Sequence, residues 1–261
     1  MPHTSQKRYA VVSCHVERPL DDVVWGRFAQ LQEARPGGFG IAALMRPSDP
    51  AFGEDETVWV ERAREAAARG PLGHHTHWTA PDHARPRSDV REAFVTQCHK
   101  GTGERVRSES VRMRELGLSP TLFCGGGWYT DLEVAEACAE LGYVDCTPRA
   151  TRPPYLGPGE RWASLRSPAR VGLPSGHSLV VVPTTHSLGD IGRALARRHA
   201  LPAVVHVYLH DTDLLDRRRR ALLRLFLPLL ARRANPTNLD AVAREMPADA
   251  PSVTWNDVAR L

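Results

Sequence analysis

The chain has 261 residues, a length that suffices for a large hydrophobic core, and we expect one domain over residues 1–261. Its formal charge is only +4, and acidic residues are interspersed among the arginines, so the composition argues against a nucleic-acid-binding surface. The five cysteines are an odd number without a Cys-x-x-Cys pair, which argues against a disulfide framework and against a structural zinc knuckle. Reduced thiols are typical of a cytoplasmic protein.

Two segments bear on membrane contact. Residues 1–8 are polar and lack the apolar core of a secretion signal, and the apolar residues 222–230 are too few to cross a bilayer. We therefore expect a cytoplasmic protein with no membrane span. The four arginines at 217–220 are able to contact phosphate or anionic lipid, although a solvated helix end beside Asp213 and Asp216 is the favoured interpretation.

Strand and helix patterns alternate along the chain. Apolar runs bounded by turn residues predict strands at 9–13, 40–44, 72–75, 121–124, 143–146, 179–182 and 203–209. Helical patterns predict helices at 23–34, 57–69, 90–116 (interrupted near 101–103), 131–141, 191–199 and 217–233, with Gly142 as a C-cap and an irregular segment at 147–176. This alternation predicts a mostly parallel sheet, and seven or eight units predict an α/β barrel.

Histidines crowd the end of the third predicted strand. The sequence there is Gly-His-His-Thr-His-Trp over residues 73–78, and His83 follows closely. Neutral imidazole is a common metal ligand, and residues two apart on an extended segment point to the same side. His75 and His77 are therefore able to face one ion together. The alternative is a solvated loop that is histidine-rich for no functional reason.

Other predicted strands also deliver polar side chains where they end. The first delivers His15 and Glu17, the sixth delivers His186, and the seventh delivers His210 with Asp211. In an α/β barrel these ends converge on one face. A hydrolytic metal needs two or three nitrogen or oxygen ligands and an open position for water, which this set is able to supply.

The order of these motifs resembles that of the polysaccharide deacetylase (NodB-homology) superfamily, whose members are metal-dependent hydrolases that remove acyl groups from sugars. The resemblance runs the length of the chain. Residues 13–17 stand at the family's acidic motif, 72–76 at its Gly-x-His-Thr metal motif, 123–129 at its groove motif, 208–210 at its closing Leu-His motif and 253–255 at its C-terminal strand. The fold class that it implies is a distorted (β/α)7-type barrel.

The chain also departs from the family pattern. The family's first motif carries two carboxylates, whereas here His15 stands at the position of the base and Glu17 at that of the metal ligand. The family's second motif has histidines four apart, and no register restores that pair, so His77 or His83 must substitute if a metal is held. Cys124 replaces the arginine that orients the family's catalytic carboxylate. If the base is a histidine, the arginine has no carboxylate to orient. The loss of the carboxylate base and the loss of the arginine are therefore mutually consistent.

The resemblance implies a mechanism for this rewired site. A divalent metal, expected to be zinc, is held by Glu17, His75 and His77, while His15 is the general base. His210 protonates the leaving amine, and Asp211 or Asp213 orients it. In the alternative, His15 is a fourth ligand, and a closed four-ligand site suits structural or redox roles better than hydrolysis.

Neighbouring residues suggest a sugar-containing small molecule as the substrate. Trp78, Trp128 and Tyr129 are able to stack on sugar rings or simply to pack. Gly126 permits close approach of a ligand, or a tight turn. Residues 149–170 are long enough to form a substrate-specific lid. The expected function is metal-dependent removal of an acyl group from an N-acylated sugar or related molecule. The alternatives are a different metal chemistry, such as oxidation or lyase activity, and a non-catalytic ligand-binding relative.

Overall fold

The computed structural model of the protein describes residues 7–78, 101–153, 156, 162–197, 199–246 and 252–260. Its α-helices are α1 (Asp22–Ala34), α2 (Glu56–Arg69), α3 (Thr102–Glu115), α4 (Leu132–Leu141), α5 (Leu188–Ala196), α6 (Arg217–Ala231), α7 (Leu239–Arg244) and α8 (Trp255–Val258). The candidate ligand His83, Cys98 and the first part of the helix expected at 90–116 lie outside the described residues.

The described ranges also contain thirteen strands. They are β1 (Tyr9–Val16), β2 (Ile41–Met45), β3 (Leu72–His74), β4 (Leu122–Phe123), β5 (Val144–Asp145), β6 (Trp162–Ala163), β7 (Ala169–Gly172), β8 (Ser178–Val181), β9 (His186–Ser187), β10 (Val204–His210), β11 (Asn235–Pro236), β12 (Ser252–Thr254) and β13 (Ala259–Arg260). The main sheet has the order β12-β7-β8-β5-β4-β3-β2-β1-β10-β9, and β11 also pairs with β1.

The main sheet is parallel except for the antiparallel pair β7–β8. The alternation of strands and helices thus produces the expected α/β fold with a parallel sheet. Among the described strands, hydrogen-bonded pairing does not close the two ends of the sheet into a complete barrel. The strands β6 and β13 form a separate antiparallel pair.

Helix ends follow from local sequence. Asp21 precedes α1, and its carboxylate accepts hydrogen bonds from the backbone N–H groups of Val23 and Val24, which the helix itself leaves unpaired. Ser187 and Asp190 form a reciprocal capping box at the start of α5. Gly142 ends α4 with φ 73°, in the left-handed region where glycine is favoured. The predicted C-cap at this position is therefore confirmed.

The structure differs from the sequence-based expectation in the segment 147–176, which the sequence predicts to be irregular. It contains β6 and β7, and β7 pairs with β8 in the register Ala169↔Val181 to Gly172↔Ser178. The side chains of β7 alternate between buried and less buried positions, as a half-covered strand requires. Neighbouring proline, glycine and arginine residues obscure this short pattern in the sequence.

The arginine run at 217–220 begins α6. Asp216 caps the helix through the N–H of Arg218, and the guanidinium of Arg219 pairs with Asp213. These contacts favour the solvated helix end over a dedicated phosphate or lipid site. None of the helices in the described residues combines the length and apolar character that a membrane crossing needs.

Candidate active site

The pairing of β1 with β10 creates the candidate site. In that parallel register the Cα of His15 lies opposite the Cα of His210, although 195 residues separate them in sequence. Glu17 follows directly after β1, at the same edge of the sheet. On the other side of β1 the strand pairs with β2, which in turn pairs with β3 and its histidine-rich end. The ends of β1, β3 and β10 thus converge as the sequence suggests, whereas His186 lies in β9 and forms a hydrogen bond with Thr185 instead.

The Glu17 carboxylate lies at the centre of three imidazoles. Its Oε1 atom is 3.6 Å from Nε2 of His75, 3.4 Å from Nε2 of His77 and 3.7 Å from Nε2 of His210. The ligand-type atoms of Glu17, His75 and His77 all lie within 4.8 Å of one another. The structure therefore brings together the three residues that the sequence suggests as metal ligands.

The orientation of His75 is fixed by a backbone hydrogen bond. Its Nδ1–H donates to the carbonyl oxygen of Cys124 at 2.7 Å, which leaves the lone pair of Nε2 directed at Glu17. Burial lowers the pKa of this histidine, although Glu17 opposes the effect, so the ring is neutral near pH 7. Its Nε2 atom is buried without a hydrogen-bond partner among the described residues. A lone pair and a carboxylate oxygen that face each other are both acceptors, so a proton, a water molecule or a metal ion between them would satisfy them.

The ionisation state of the Glu17 carboxylate suits a bound cation. Burial by itself raises its pKa, but His75 and His77 overcome that effect, and the pKa of Glu17 lies well below its ordinary value. The side chain is therefore anionic at neutral pH. An anionic carboxylate with two imidazole nitrogens is a donor set that suits zinc, and it leaves room for further ligands.

His15 lies beside this group and is itself buried. Its ring centroid is 4.7 Å from that of His75 and 5.1 Å from that of His210. Burial, followed by the neighbouring His75 and His210, lowers the pKa of His15 well below its ordinary value, so it is a neutral imidazole. Its Nε2 has no hydrogen-bond partner among the described residues.

The geometry also permits His15 to act as a metal ligand. It forms one possible ligand group with Glu17 and His210, and another with His75 and Cys124. Burial raises the pKa of the Cys124 thiol well above its ordinary value, which disfavours the thiolate that metal ligation requires. The first of these two groups is therefore the stronger alternative.

His74 points to the opposite side of β3. Its Nε2 lies 2.9 Å from Glu109 of α3 and 2.9 Å from the hydroxyl of Thr76, which donates to the same carboxylate at 2.8 Å. This buried network attaches the end of β3 to α3. The two-residue period of an extended chain thus separates His74, which supports the fold, from His75 and His77, which face Glu17.

The residues suggested for substrate binding form a layer next to the site. The ring of Trp128 is buried, and its centroid lies 4.8 Å from that of His15. Trp78 contacts Tyr129 edge to face, with ring centroids 5.4 Å apart. The Tyr129 hydroxyl donates to Asp131 at 2.8 Å. Gly126 lies directly against His77: a Cβ added there would stand 2.8 Å from Cδ2 of that histidine.

The carboxylates suggested to orient His210 contact backbone groups. Asp211 is fully buried and accepts the N–H groups of Arg18 and Thr212, both at 2.8 Å. Burial raises its pKa to about 7. Asp213 accepts the backbone N–H of His210 at 3.1 Å. These contacts fix the backbone on both sides of the site, since Arg18 follows Glu17.

Two site residues were not singled out from the sequence. Tyr208 contacts Trp128 edge to face, with ring centroids 4.8 Å apart, and the guanidinium of Arg149 lies over both rings. Tyr208 lies two residues before His210, so the alternation along β10 signals that both share a face. Arg149 carries no local signal, because its position depends on long-range pairing with Ser164 and Thr184.

Comparison with known proteins gives matches at the level of structure. The sequence matches no family model and no curated protein. Among solved structures, 4-alpha-glucanotransferase from Thermococcus litoralis is similar, with a TM-score of 0.52 and 12% identity over 94% of this chain and 39% of that chain. The chain therefore spans well under half the length of that protein. A mutant of a CE4-family pseudoenzyme with restored enzymatic activity has a TM-score of 0.50 and 10% identity over 91% of this chain and 68% of its own.

The chain has the polysaccharide deacetylase fold. This confirms the resemblance drawn from the motifs at the level of fold, in a chain whose sequence has diverged far from the structures it matches. The similar glucanotransferase shows that the architecture also accommodates a different reaction. The activity of this chain must therefore be argued from its own site.

Proposed function

We propose that the protein is a zinc-dependent hydrolase that removes the acyl group from an N-acylated sugar or a related small molecule. The observation that supports this most directly is the convergence of Glu17, His75 and His77 on one point, with the His75 lone pair turned toward the carboxylate by the carbonyl of Cys124. The fold supports the same reaction class, since a CE4-family protein shares it.

The three residues fit a divalent ion by charge as well as by geometry. One carboxylate and two imidazoles leave an open position for water, as catalytic zinc sites require. When bound, the ion supplies Lewis acidity toward an acyl carbonyl and lowers the pKa of the water. The Cys124 carbonyl oxygen accepts a hydrogen bond from Nδ1–H of His75, and such a bond fixes the tautomer of a ligand histidine.

Two further histidines are placed for the proton transfers. Neutral His15 accepts the proton of the attacking water as that oxygen bonds to the acyl carbon. His210, whose side chain is 32% exposed, is open to the substrate and donates a proton to the amine as the carbon–nitrogen bond breaks. The products are a free carboxylic acid and an amine. Asp211 holds the backbone of Arg18 against β10, which maintains the position of the adjacent Glu17.

The space beside the site suits a small molecule. Glu17 and Arg18 border a cavity of about 480 Å³, and His77 borders another of about 600 Å³; both volumes lie within the range for small-molecule pockets. Trp78 and Tyr129 are only partly buried and are the rings that we expect to stack on a sugar, whereas Trp128 is buried in the site wall. We place this activity in the cytoplasm, because the composition suggests reduced thiols, and the four described cysteines are free and buried.

Metal content is the first test. We expect about one zinc per chain by elemental analysis, and loss of zinc from the His75→Ala and His77→Ala variants. His74→Ala is the matched control, since this neighbouring histidine faces Glu109, and it should retain zinc wherever the variant folds. Wild-type protein that holds no metal after incubation with zinc would refute the proposal and favour the non-catalytic relative.

Proton transfer is the second test. His15→Ala and His210→Ala should each lower the rate on the true substrate by roughly two to four orders of magnitude while zinc remains bound. Loss of zinc in His15→Ala would instead identify this residue as a ligand, in the group it forms with Glu17 and His210. An unchanged rate in His210→Ala would remove it from the mechanism.

Substrate class is the third test. The protein loaded with zinc is incubated with a panel of N-acyl amino sugars and nucleotide sugars, and release of acetate or formate is measured. Release from at least one panel member is the expected result. If no acyl release occurs with any metal, yet oxygen is consumed in the presence of iron or copper, the different metal chemistry replaces this proposal.

A further inference from the structure

Two arginines of the described chain are almost fully buried, and only one has a counter-charge. Arg46, at 5% exposure, pairs with both carboxylate oxygens of Glu54 and also donates to the carbonyl oxygens of Glu17 and Pro47. Arg149, at 6% exposure, forms no ion pair within the described residues, and its Nε is buried without a hydrogen-bond partner there. A buried charge normally requires a partner.

The contacts that Arg149 does make are with aromatic faces. Its Cζ lies 4.5 Å from the ring centroid of Trp128 and 5.1 Å from that of Tyr208. Such cation–π contacts stabilise the cation, but they give its buried Nε no hydrogen-bond acceptor. The N–H donors of a guanidinium match the geometry of a carboxylate or a phosphate.

The position of Arg149 is fixed by the backbone. Its N–H donates to the carbonyl of Ala163 at 3.0 Å, and its own carbonyl accepts the N–H of Leu165 at 3.0 Å. The residue also forms parallel bridges to Ser164 and Thr184. A guanidinium held in place before a ligand arrives loses little conformational entropy on binding.

Arg149 lies next to the candidate active site. The ring of Trp128 that it covers also contacts the ring of His15, at a centroid distance of 4.8 Å. Tyr208, the second ring under the guanidinium, lies 5.7 Å from His15 and 5.8 Å from His210. Arg149 and the two proton-transfer histidines therefore border the same pair of aromatic rings.

We propose that Arg149 is a specificity-determining residue that binds an anionic group of the substrate, so that the acylated sugar carries a carboxylate or a phosphate. This inference rests on the proposed function, because it concerns the substrate of the same site. The guanidinium binds the anion with paired N–H donors and so positions the sugar beside the proton-transfer histidines. Neutral N-acyl sugars lack this contact and bind more weakly.

Direct binding to zinc-free protein tests the inference separately from catalysis. Calorimetry compares neutral N-acetylglucosamine with N-acetylmuramate, which adds a carboxylate, and with N-acetylglucosamine 1-phosphate, which adds a phosphate. At least one anionic probe should bind wild-type protein ten or more times as tightly as the neutral sugar. The stronger of the two probes identifies the anionic group. Equal affinities for all three probes would overturn the proposal.

Variants of Arg149 assign the effect to this side chain. Arg149→Gln should lose the preference for the anionic probe while its affinity for the neutral sugar stays within a factor of about two, and Arg149→Lys should restore part of the preference through its charge. Arg224→Gln, which changes an exposed arginine of α6, is the matched control and should keep it. If Arg149→Gln does not fold, the binding preference of Arg149→Lys is compared with that of wild type instead. An unchanged preference for the anionic probe in either folded variant, both of which lack the guanidinium, overturns the assignment.

The failures of the two proposals are distinguishable. Tight binding of an anionic probe without acyl release from any substrate would contradict the hydrolase and leave the role of Arg149 intact. Acyl release from neutral sugars, at the same rate in wild type and in Arg149→Gln, would support the hydrolase and overturn the anionic substrate.

Discussion

Gly126 is the position where a single methyl group tests the geometry of the candidate site. A Cβ at this residue would stand 2.8 Å from Cδ2 of His77, 2.9 Å from the carbonyl oxygen of Thr76 and 3.2 Å from Cα of His77. Two of these distances are below any normal carbon contact. The Gly126 N–H also donates to that Thr76 carbonyl at 2.7 Å, so the two segments cannot separate without losing a hydrogen bond.

The Gly126→Ala substitution therefore displaces His77 or the backbone beside it. Overpacking of this kind costs about 1–3 kcal/mol of unfolding free energy. For a chain of this size each kcal/mol lowers Tm by roughly 2–4 °C, so we expect a decrease of about 2–12 °C. Because the displaced residue is a proposed zinc ligand, zinc affinity should also fall, by about 10–100-fold if the change is comparable to loss of an outer-shell contact.

Thermal unfolding in the presence of a chelator measures the first effect, and calorimetric titration with zinc measures the second. Gly26→Ala is the matched control, because a Cβ at this position in α1 meets no atom within 4 Å. That variant should be as stable as wild type or more stable by about 1 kcal/mol, since alanine favours a helix over glycine. A Gly126→Ala protein with unchanged Tm and unchanged zinc affinity would refute the close approach between Gly126 and His77.

Three further predictions concern stability. Glu54→Gln should destabilise the fold by about 3–5 kcal/mol, because it leaves the buried Arg46 charge uncompensated, whereas Glu140→Gln at an exposed pair should cost less than about 1 kcal/mol; chemical denaturation measures both. Burial lowers the pKa of His206 to about 4, so the unfolded chain binds the proton more readily and stability falls as the pH drops from about 6.5 toward 4. A His206→Gln variant, which keeps a polar partner for Ser13, should lose about 3 kcal/mol less over that interval, and parallel pH profiles for both proteins would contradict this. Zinc at one hundred times its Kd should add about 2.7 kcal/mol, which raises Tm by roughly 5–10 °C over protein in chelator, and an unchanged Tm would count against the site.

The sequence by itself determined the local elements and part of the site. Apolar runs and helical periodicity are properties of neighbouring residues, so the alternation of strands and helices and the cap at Gly142 were readable without the fold. The face shared by His75 and His77 follows from the same local rule, since side chains alternate along an extended chain. The convergence of strand ends follows from the parallel sheet, which the alternation predicts.

Only the tertiary structure decided the contacts between distant residues. The register that sets His15 opposite His210 depends on how β1 and β10 pack, and no local pattern encodes it. The hydrogen bond that turns His75 toward Glu17 comes from the backbone of Cys124, so the side chain at that position carries no sign of it. In the sequence Arg149 only begins the segment 149–170. Long-range pairing places it over Trp128, and only there does it become a buried cation without a described counter-charge.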